Sequence, residues 1–413
     1  MDIIHHRCAG IDISKADAKV AVRIAQSGVN AKEEVRTFGS MTRQVLMLRD
    51  WLIDEQVTCV VMEATGDYWR TFYYLLEDAG FELLLANPRD VRNRPGRKSD
   101  VSDCKWLADL GAHGLVGGSF VPPPPIRDLR ALTRLRTCIA RDRGIAAQRL
   151  EKVLEGAGIK LSIVTDPTNV SSRRMLKGLA EGMAVEDLAE MAYGALRRKK
   201  AELAEALTGQ FSEHHTLMVN ILLDRIDSCN CDIEQLSERI DVLMQPYQRA
   251  HDLLVTIPGV SDIVADVIIA ETGADMSVFP TAKHLASWAG VAPGLNQSGA
   301  RTKPSKKRPG NTHLQAALGI VAFAATKTRK TYLSAQYRRI TAHRGPMKAM
   351  VAVENSAITA VWHMLTNDKE YVDLGPDYFA QRRPDTTRNK AIQQLENLGY
   401  QVTLTTPKEP ETS

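Results

Sequence analysis

The sequence lacks several features that would place it in well-known classes of protein. No uncharged apolar run reaches the roughly 18 residues of a bilayer-spanning helix, so we expect no membrane segment. No charged-then-apolar leader opens the chain, so we expect a cytoplasmic protein rather than a secreted one. The six cysteines contain no C-x-x-C pair and no zinc-like spacing with histidine, which indicates reduced, mostly buried thiols that hold no metal. His5-His6 and His214-His215 have no spaced partner ligands and are interpreted as ordinary surface residues.

Acidic residues are missing from one long stretch. Between Asp275 and Glu354 there is no Asp or Glu, although the 413-residue chain has 49 acids and a formal net charge of only +4. The stretch holds thirteen basic residues: Lys283, Arg301, Lys303, Lys306, Lys307, Arg308, Lys327, Arg329, Lys330, Arg338, Arg339, Arg344 and Lys348. Because phosphates attract cations and repel carboxylates, this pattern favours contact with nucleic acid. Phosphate contacts do not read bases, so base-specific recognition is not indicated.

The chain is too long for a single compact core, so several domains are expected. Residues 1–120 show three strand patterns and then alternating helix and strand, which predicts a ribonuclease H-like α/β domain with a mixed sheet. The prolines of residues 121–125 mark its end, since they continue neither element. "GIDIS" also opens the sugar-kinase and actin-like superfamily, but that fold needs a second such domain, which the helical pattern after residue 125 argues against.

Residues 121–250 are predicted to form a long helical segment for oligomerisation and nucleic-acid binding. Seven arginines lie between Arg127 and Arg149, and from Val219 to Leu243 apolar residues alternate at spacings of three and four. The spacing is typical of a coiled coil, and equally of a helix packed on another helix of the same chain. Residues 251–366 form a third, mostly helical segment that starts like a helix-hairpin-helix, a motif that points backbone N–H groups at phosphate. Residues 367–413 form a polar tail.

Four acids occupy the ends of predicted elements in the first segment. Asp12 lies in the strand "CAGIDI", Glu63 ends the strand "VTCVVMEA", and Asp100 and Asp103 share one helix face in "RKSDVSDCKWLADL". Such acids are costly to keep ionised without a cation. Together they would suit Mg²⁺ or Mn²⁺, which stabilises the charge on an attacked phosphodiester. Each acid could instead cap a helix or lie in its first turn, but that explanation is harder to extend to all four.

Ser298 lies in the glycine-flanked stretch "GLNQSGARTK" of the basic region. One interpretation is a turn residue whose hydroxyl donates a hydrogen bond to phosphate. The other is a nucleophile that attacks a phosphodiester and holds it as a phosphoserine link. No histidine is adjacent in sequence to suggest a hydrolase triad. The residues alone leave both interpretations open.

The motifs "GIDISKADAKVAV", "VVMEATGDYW" and "RKSDVSDCKWLADL", in this order, resemble the amino-terminal domain of bacterial DEDD transposases of the insertion sequence one-hundred-ten family, which include related site-specific DNA invertases. The later stretch from "IPGVSDIVADVIIAETG" to "GLNQSGARTKPSKKRPGNTHLQAAL" resembles the carboxy-terminal transposase domain of the same family. The resemblance implies a Holliday-junction-resolvase-like fold for the first segment. It also implies bacterial origin and excision and insertion of a mobile element by DNA strand exchange.

The resemblance assigns roles to particular residues. Asp12, Glu63, Asp100 and Asp103 fall on the metal-binding tetrad of the family, for Mg²⁺ or Mn²⁺, and Ser298 falls on its nucleophile. The expected partners are double-stranded DNA at the element ends and target, a structured guide RNA, and other copies of the chain, as dimers that pair into tetramers. We expect nucleic acid to contact two basic groups: Arg127, Arg130 and Arg134, and Arg301, Lys303, Lys306, Lys307 and Arg308.

Two other functions are compatible with parts of this pattern. A metal-dependent Holliday-junction endonuclease would need the carboxylates but not Ser298. A non-catalytic nucleic-acid scaffold would need the basic region and the helices but neither the carboxylates nor Ser298. Substituting these residues distinguishes the three functions.

Overall fold

The protein is described by a computed structural model that covers residues 2–26, 29–64, 66–88, 91, 103–294, 297–298, 301–302 and 307–404. The chain forms two compact units, Met1–Val121 and Pro122–Ser413. Asp100, Lys303 and Lys306 lie outside the described residues, and of Ser298 and Arg301 the backbone alone is described.

The first unit is built on a five-stranded sheet with the spatial order β3-β2-β1-β4-β5. Its strands are β1 (Arg7–Ile13), β2 (Asp17–Gln26), β3 (Val29–Gly39), β4 (Cys59–Glu63) and β5 (Glu82–Ala86). β1, β2 and β3 pair antiparallel, whereas β1, β4 and β5 pair parallel. The helices are α1 (Thr42–Asp54), α2 (Trp69–Leu76) and α3 (Asp103–Ala112). The sheet is the mixed sheet predicted from the sequence, and the arrangement is consistent with a ribonuclease H-like domain.

The alternation of side chains along the strands gives this sheet two buried faces. Residues such as Ile11 and Met62 point into a core closed by α1 and α2, which contribute Leu48 and Phe72. Residues of the opposite parity, such as Val61, pack against α3. Strands covered on both faces are apolar throughout, which explains the uninterrupted run in "VTCVVM".

The helix α3 lies directly against the backbone of β1. A Cβ atom added to Gly10 would lie 2.0 Å from the carbonyl oxygen of Cys104 and 2.4 Å from the amide nitrogen of Ala108. One added to Gly111 would lie 2.6 Å from the Sγ atom of Cys8. The start of α3 therefore lies over Gly10 and its end over Cys8, so α3 runs opposite to β1.

The described residues of the second unit form helices and one short hairpin. Its α-helices are α4 (Pro124–Gly156), α5 (Leu161–Val164), α6 (Val170–Ala180), α7 (Val185–Glu190), α8 (Lys200–Leu207), α9 (Glu213–Met244), α10 (Gln248–Val255), α11 (Asp262–Thr272), α12 (Ala282–Trp288), α13 (Thr312–Lys327), α14 (Tyr332–Arg344), α15 (Pro346–Asn367), α16 (Tyr378–Gln381) and α17 (Pro384–Asn397). Gly194–Lys199, Gln245–Tyr247 and Met276–Val278 are 3₁₀ helices. The hairpin consists of β6 (Gln297–Ser298) and β7 (Arg301–Thr302).

The apolar series on α9 packs against α4 of the same chain. Val219 and Ile226, near the start of α9, share a core with Leu150 and Leu154 near the end of α4. At the other end, Arg136 of α4 donates a hydrogen bond to Ser237 of α9. The two helices therefore form an antiparallel pair, which is the second of the two interpretations of the spacing. A coiled coil between chains stays a prediction.

Two helices flank the Pro258-Gly259 turn, as the helix-hairpin-helix pattern predicts. Gly259 has φ +94°, and a Cβ atom there would lie 2.8 Å from the Cβ of Ala324 on α13. The turn is therefore held close to α13 by a residue without a side chain. Its use as a phosphate site stays a prediction.

Most of the cysteines are buried, as expected from the sequence. All six are free thiols, and four of them, Cys8, Cys59, Cys104 and Cys229, are buried. None of the helices in the described part of the chain combines the length and apolar character that crossing a bilayer requires.

The contact at Gly10 leads to a stability prediction. Replacing Gly10 by Ala places a methyl group inside the backbone of α3, so α3 must shift, and we expect the free energy of unfolding to fall by about 1–3 kcal/mol or more. Urea unfolding measures the loss, and hydrogen–deuterium exchange over residues 103–112 localises it. In the control Gly144→Ala, the added Cβ meets nothing within 4 Å on α4, and helix propensity should raise stability by about 0.5–1 kcal/mol. Equal exchange over residues 103–112 in Gly10→Ala and the parent chain would contradict the tight contact.

Candidate functional site

Asp12 and Glu63 lie at the same edge of the sheet. Ile11 of β1 pairs with Met62 of β4 in parallel register, so the next residue on each strand, Asp12 and Glu63, stand side by side where the strands end. Both side chains are half-buried. Asp12 follows Gly10 by two residues and so points to the face that α3 covers.

The start of α3 brings Asp103 to this edge. Asp103 is the first residue of α3 and is half-buried, and the next residue, Cys104, lies over Gly10. Burial raises the pKa of the Cys104 thiol, and the charge of Asp12 adds to the rise because the first turn of α3 lies near Asp12. The structure therefore brings three of the four predicted acids to one edge. The fourth, Asp100, lies outside the described residues.

Ion pairs along its length hold α3 on the sheet. Arg23 of β2 lies 3.2 Å from Asp109, and Lys105 lies 3.0 Å from Glu33 of β3. The edge with the three acids offers carboxylate oxygens, which hard cations such as Mg²⁺ and Mn²⁺ prefer. Asp12, Glu63 and Asp103 supply the type of oxygen donor that such a cation takes.

Ser298 lies on the short hairpin of the second unit. It pairs with Arg301, and Gln297 pairs with Thr302, in antiparallel register. Ser298 is therefore the last residue of β6, and β7 begins three residues later. The glycine-flanked loop predicted here includes residues outside the described part of the chain, of which the structure shows the two paired strands.

The stretch that carries Ser298, called the serine segment below, is flanked by Gly290 and Gly310, which lie against each other at the helical core. A Cβ atom on Gly310 would lie 2.5 Å from the backbone of Ala289 and Gly290, so the two ends of the segment touch. Gln315 of α13 donates to the carbonyl oxygen of Ala289 at 2.9 Å. Lys307, within the segment, donates to the buried Glu354 of α15 at 2.7 Å. These contacts tie both ends of the segment to α13 and α15.

A buried carboxylate lies next to this junction. Glu271, at the end of α11, has 0% exposure, and Arg134 of α4 donates to both of its oxygens at 2.7 and 2.8 Å. Arg130 lies 3.2 Å from it, and Asn311 donates to it at 2.6 Å. Asn311 directly follows Gly310 and caps α13 by accepting hydrogen bonds from the backbone N–H groups of its first turn. Glu271 therefore joins α4 and α11 to the point where the serine segment ends.

The environment of Glu271 determines its charge. Burial would by itself raise its pKa, but the hydrogen bonds from Arg134 and Asn311 and the charge of Arg130 lower the pKa overall. Glu271 is therefore ionised near neutral pH. Glu271 was not predicted as a functional residue, although a carboxylate that directly follows the apolar run "VIIA" of α11 is a signal for a buried, paired acid.

The arginines predicted to bind nucleic acid also have partners within the chain. Arg130 and Arg134 bind Glu271, and Arg127 donates to the carbonyl oxygen of Pro122 at 2.6 Å. Arg134 keeps 30% of its side chain exposed and lines a groove of about 650 Å³ between α4, α11 and α13. These residues stabilise the second unit, and their contact with nucleic acid stays a prediction.

The basic side chains of the acid-free region face solvent. Of its thirteen lysines and arginines, Arg301, Lys303 and Lys306 have no described side chain, and the other ten are all exposed. Arg308 is one of them, and so is Lys307, despite its ion pair with Glu354. An exposed surface of one charge sign is suited to a polyanion.

The Glu271 network leads to a prediction about stability and pH. Glu271→Gln leaves two arginines without their carboxylate, and we expect a loss of about 3–5 kcal/mol in the free energy of unfolding at pH 7. Because the folded pKa lies below the ordinary 4.5, the stabilisation is complete above that pH and is lost as the pH falls through the folded pKa. The difference between the two chains should therefore shrink in acid, as measured by urea unfolding at several pH values.

The control removes an exposed ion pair. Asp385→Asn breaks the contact with Arg388, in which the Asp385 side chain is 78% exposed, and should cost less than about 1 kcal/mol. A difference between Glu271→Gln and the parent chain that stays constant down to the acid transition would contradict the assigned charge.

Comparison with known proteins finds family models that match two stretches of the chain. Residues 9–159 match a family model described as a transposase, that of the DEDD domain of IS110 transposases. Residues 251–338 match a model described as transposase IS116/IS110/IS902 family.

Three curated relatives carry insertion-sequence names. The uncharacterized 42 kDa protein of insertion element IS900 of Mycobacterium paratuberculosis is 26% identical over 331 residues, covering 72% of this chain and 80% of its own. The transposase for insertion sequence element IS1111A of Coxiella burnetii is 24% identical over 329 residues, covering 76% and 80%. The uncharacterized 43.6 kDa protein of insertion element IS110 of Streptomyces coelicolor is 29% identical over 165 residues, covering 38% and 40%. The two family models together match more than half of the chain, and both describe transposases of this family, so the chain belongs to the IS110 family of insertion-sequence transposases.

Proposed function

We propose that this transposase excises and inserts its mobile element through a covalent phosphoserine link between Ser298 and DNA. The observation that carries the proposal is that the surrounding structure holds both the acids and the hairpin with Ser298 in defined positions. Asp12, Glu63 and Asp103 are collected at one sheet edge, and the hairpin with Ser298 is fixed at both ends of its segment. Family membership makes DNA the substrate.

The proposed step exchanges one phosphoester bond for another. The Ser298 hydroxyl loses its proton as its oxygen bonds to phosphorus, and the bond from phosphorus to one deoxyribose oxygen breaks. That oxygen leaves and takes up a proton, so one strand end carries a free hydroxyl and the other is esterified to the protein. Attack by the hydroxyl of a different strand then reverses the step and completes strand exchange without an external energy source.

Mg²⁺ or Mn²⁺ would be held by Asp12, Glu63, Asp103 and Asp100. When bound, the cation stabilises the negative charge that develops on the attacked phosphate. Two features support this: the carboxylates of β1 and β4 stand side by side, and α3 is pinned so that Asp103 joins them. The acids and Ser298 belong to different units of the chain. We propose that they act on one phosphodiester, the two units being contributed by neighbouring protomers of a dimer that pairs into a tetramer.

The acid-free surface is proposed to bind the phosphates of double-stranded DNA and of a structured guide RNA. Exposed cations there support contacts that position nucleic acid without reading it. Sequence specificity would then come from base pairing to the guide RNA. Arg301, Lys303, Lys306, Lys307 and Arg308 follow the serine in the sequence and would hold the strand that it attacks.

The covalent link can be tested by trapping. Ser298→Ala should abolish both protein–DNA adducts and recombination, because no other hydroxyl replaces the nucleophile. Asp12→Asn should also abolish both, since it removes a ligand of the cation while keeping the shape of the side chain. Adducts are measured by denaturing electrophoresis on a nicked substrate that prevents religation.

Matched controls separate chemistry from folding. Ser305→Ala changes another serine of the same segment, and Asp54→Asn changes an exposed acid at the end of α1, so both should keep parental adduct levels. DNA cutting that survives in Ser298→Ala but not in Asp12→Asn would instead identify a metal-dependent junction endonuclease. Recombination unaffected by both variants would identify a non-catalytic scaffold.

The basic surface can be tested through the salt dependence of binding. Replacing Lys327, Arg329 and Lys330 by Gln should weaken DNA binding for all sequences. If each cation contacts one phosphate, the slope of log K against log salt should become shallower by roughly 0.9 for each charge removed. Fluorescence anisotropy at several salt concentrations measures this slope.

A second basic run serves as the control. Arg197, Arg198 and Lys199 are consecutive and, like the first three, exposed. Unlike the first three, they have an acid nearby, since Lys199 lies 3.9 Å from Glu202. Their replacement by Gln should leave the DNA slope unchanged. An equal change in both triple variants would show that total charge, rather than the acid-free surface, determines binding.

A further inference from the structure

A second group of ligating side chains lies at the opposite end of the first unit's sheet. His5, Cys59 and Glu82 each bring one nitrogen, sulfur or oxygen atom to a common point, all within 4.8 Å of one another. The proposed carboxylate site lies where β1 and β4 end, whereas this group lies where β4 and β5 begin. It is therefore separate from the site of DNA cleavage.

Strand pairing explains how these residues meet. Cys8 of β1, Cys59 of β4 and Glu82 of β5 are direct neighbours across three parallel strands, so their side chains share one face. The segment before β1 then folds over this row, because the backbone N–H of His5 donates to the carbonyl oxygen of Ala112 at 3.1 Å. The residues come from three distant places in the sequence, so no spacing motif reveals them.

The distances and donor types match a particular class of ion. In a tetrahedral zinc site, a nitrogen and an oxygen ligand at about 2.1 Å from the ion lie roughly 3.4 Å apart. The Nε2 atom of His5 lies 3.4 Å from the Oε2 atom of Glu82. A thiolate, an imidazole and a carboxylate together suit a borderline-soft ion such as Zn²⁺ better than Mg²⁺.

Access to the group is graded. Cys59 has 0% exposure, whereas the side chains of His5 and Glu82 are 20% and 54% exposed. An ion could thus enter from the Glu82 side and bind sulfur at the inner end. Cys8, which is the direct neighbour of Cys59 on β1, would lie next to the bound sulfur as an outer partner.

We propose that His5, Cys59 and Glu82 form a binding site for one Zn²⁺ ion, with water as the fourth ligand. On binding, the Cys59 thiol releases its proton to solvent as its sulfur coordinates the ion. The ion would tie the segment before β1 to β4 and β5. It would stabilise the sheet at the end away from the carboxylates, and its role would be structural.

Co²⁺ is the probe, because a thiolate bound to Co²⁺ gives a charge-transfer band that oxygen ligands do not give. The full chain would carry Cys138→Ser and Cys231→Ser, which remove the two exposed thiols. The buffer contains excess Mg²⁺, which fills the carboxylate site, and a non-thiol reductant, which keeps the thiols reduced. We expect one equivalent of Co²⁺ to produce the band and one equivalent of Zn²⁺ to displace it.

Variants identify the ligands. His5→Ala and Glu82→Gln should each weaken Co²⁺ binding on the order of 10–100-fold or more, since even outer partners of a metal have effects of this size. Cys59→Ser should abolish the band. Cys59 is buried, so its replacement could disturb folding, which circular dichroism measures. If Cys59→Ser fails to fold, His5→Ala and Glu82→Gln carry the test on their own.

The neighbouring histidine provides the matched control. His6→Ala alters an exposed residue outside the group and should leave Co²⁺ binding unchanged. Absence of the band in the parent chain, or its persistence in both His5→Ala and Glu82→Gln, would overturn the proposal and leave His5 and Glu82 as a simple ion pair. The test does not depend on Ser298 or on transposition, so it succeeds or fails independently of the proposed function.

Discussion

The close contact between the backbone of α3 and Gly10 is the constraint on which the first unit depends. Because Gly10 has no side chain, the helix can lie directly on β1 with its start at the carboxyl end of the strand. That position brings Asp103 to Asp12 and Glu63, and it places the other end of α3 over Cys8 and Cys59. A single missing side chain thus organises both ends of one face of the sheet.

In the second unit, the corresponding constraint is a buried charge. Glu271 is stable inside the protein because arginines from α4 and an asparagine from the start of α13 surround it. Breaking such a group is costly, so the helices around it keep one arrangement. The segment with Ser298 begins and ends beside these helices. A nucleophile on a short hairpin needs support of this kind if it is to be held in place.

Much of the first unit could be predicted because its signals are local. The apolar run ending at Glu63 reads as a buried strand, and the strand patterns before it predict the mixed sheet that the structure shows. The sequence could not distinguish the pairing of α4 with α9 from a coiled coil between chains, since both arrangements bury apolar residues at the same spacing.

Contacts between distant residues explain what the sequence did not predict. The ion pair of Arg134 could not be predicted because its partner Glu271 lies 137 positions away. His5 was interpreted as a surface residue because Cys59 and Glu82 become its neighbours only after three strands pair. Periodicity and spacing report on single elements, whereas these groups depend on packing between elements. Asp100 lies outside the described residues, so its place in the tetrad stays a prediction.

The central claim is that Ser298 and the cation at the carboxylates act on the same phosphodiester. The most direct test replaces a non-bridging oxygen of the scissile phosphate by sulfur and follows formation of the serine–DNA adduct with each phosphorothioate isomer. Because Mg²⁺ binds sulfur poorly and Mn²⁺ accepts it more readily, the account predicts that one isomer reacts slowly in Mg²⁺ and recovers in Mn²⁺. Equal relative rates in both ions for both isomers would show that no cation touches the phosphate under attack, and would contradict the account.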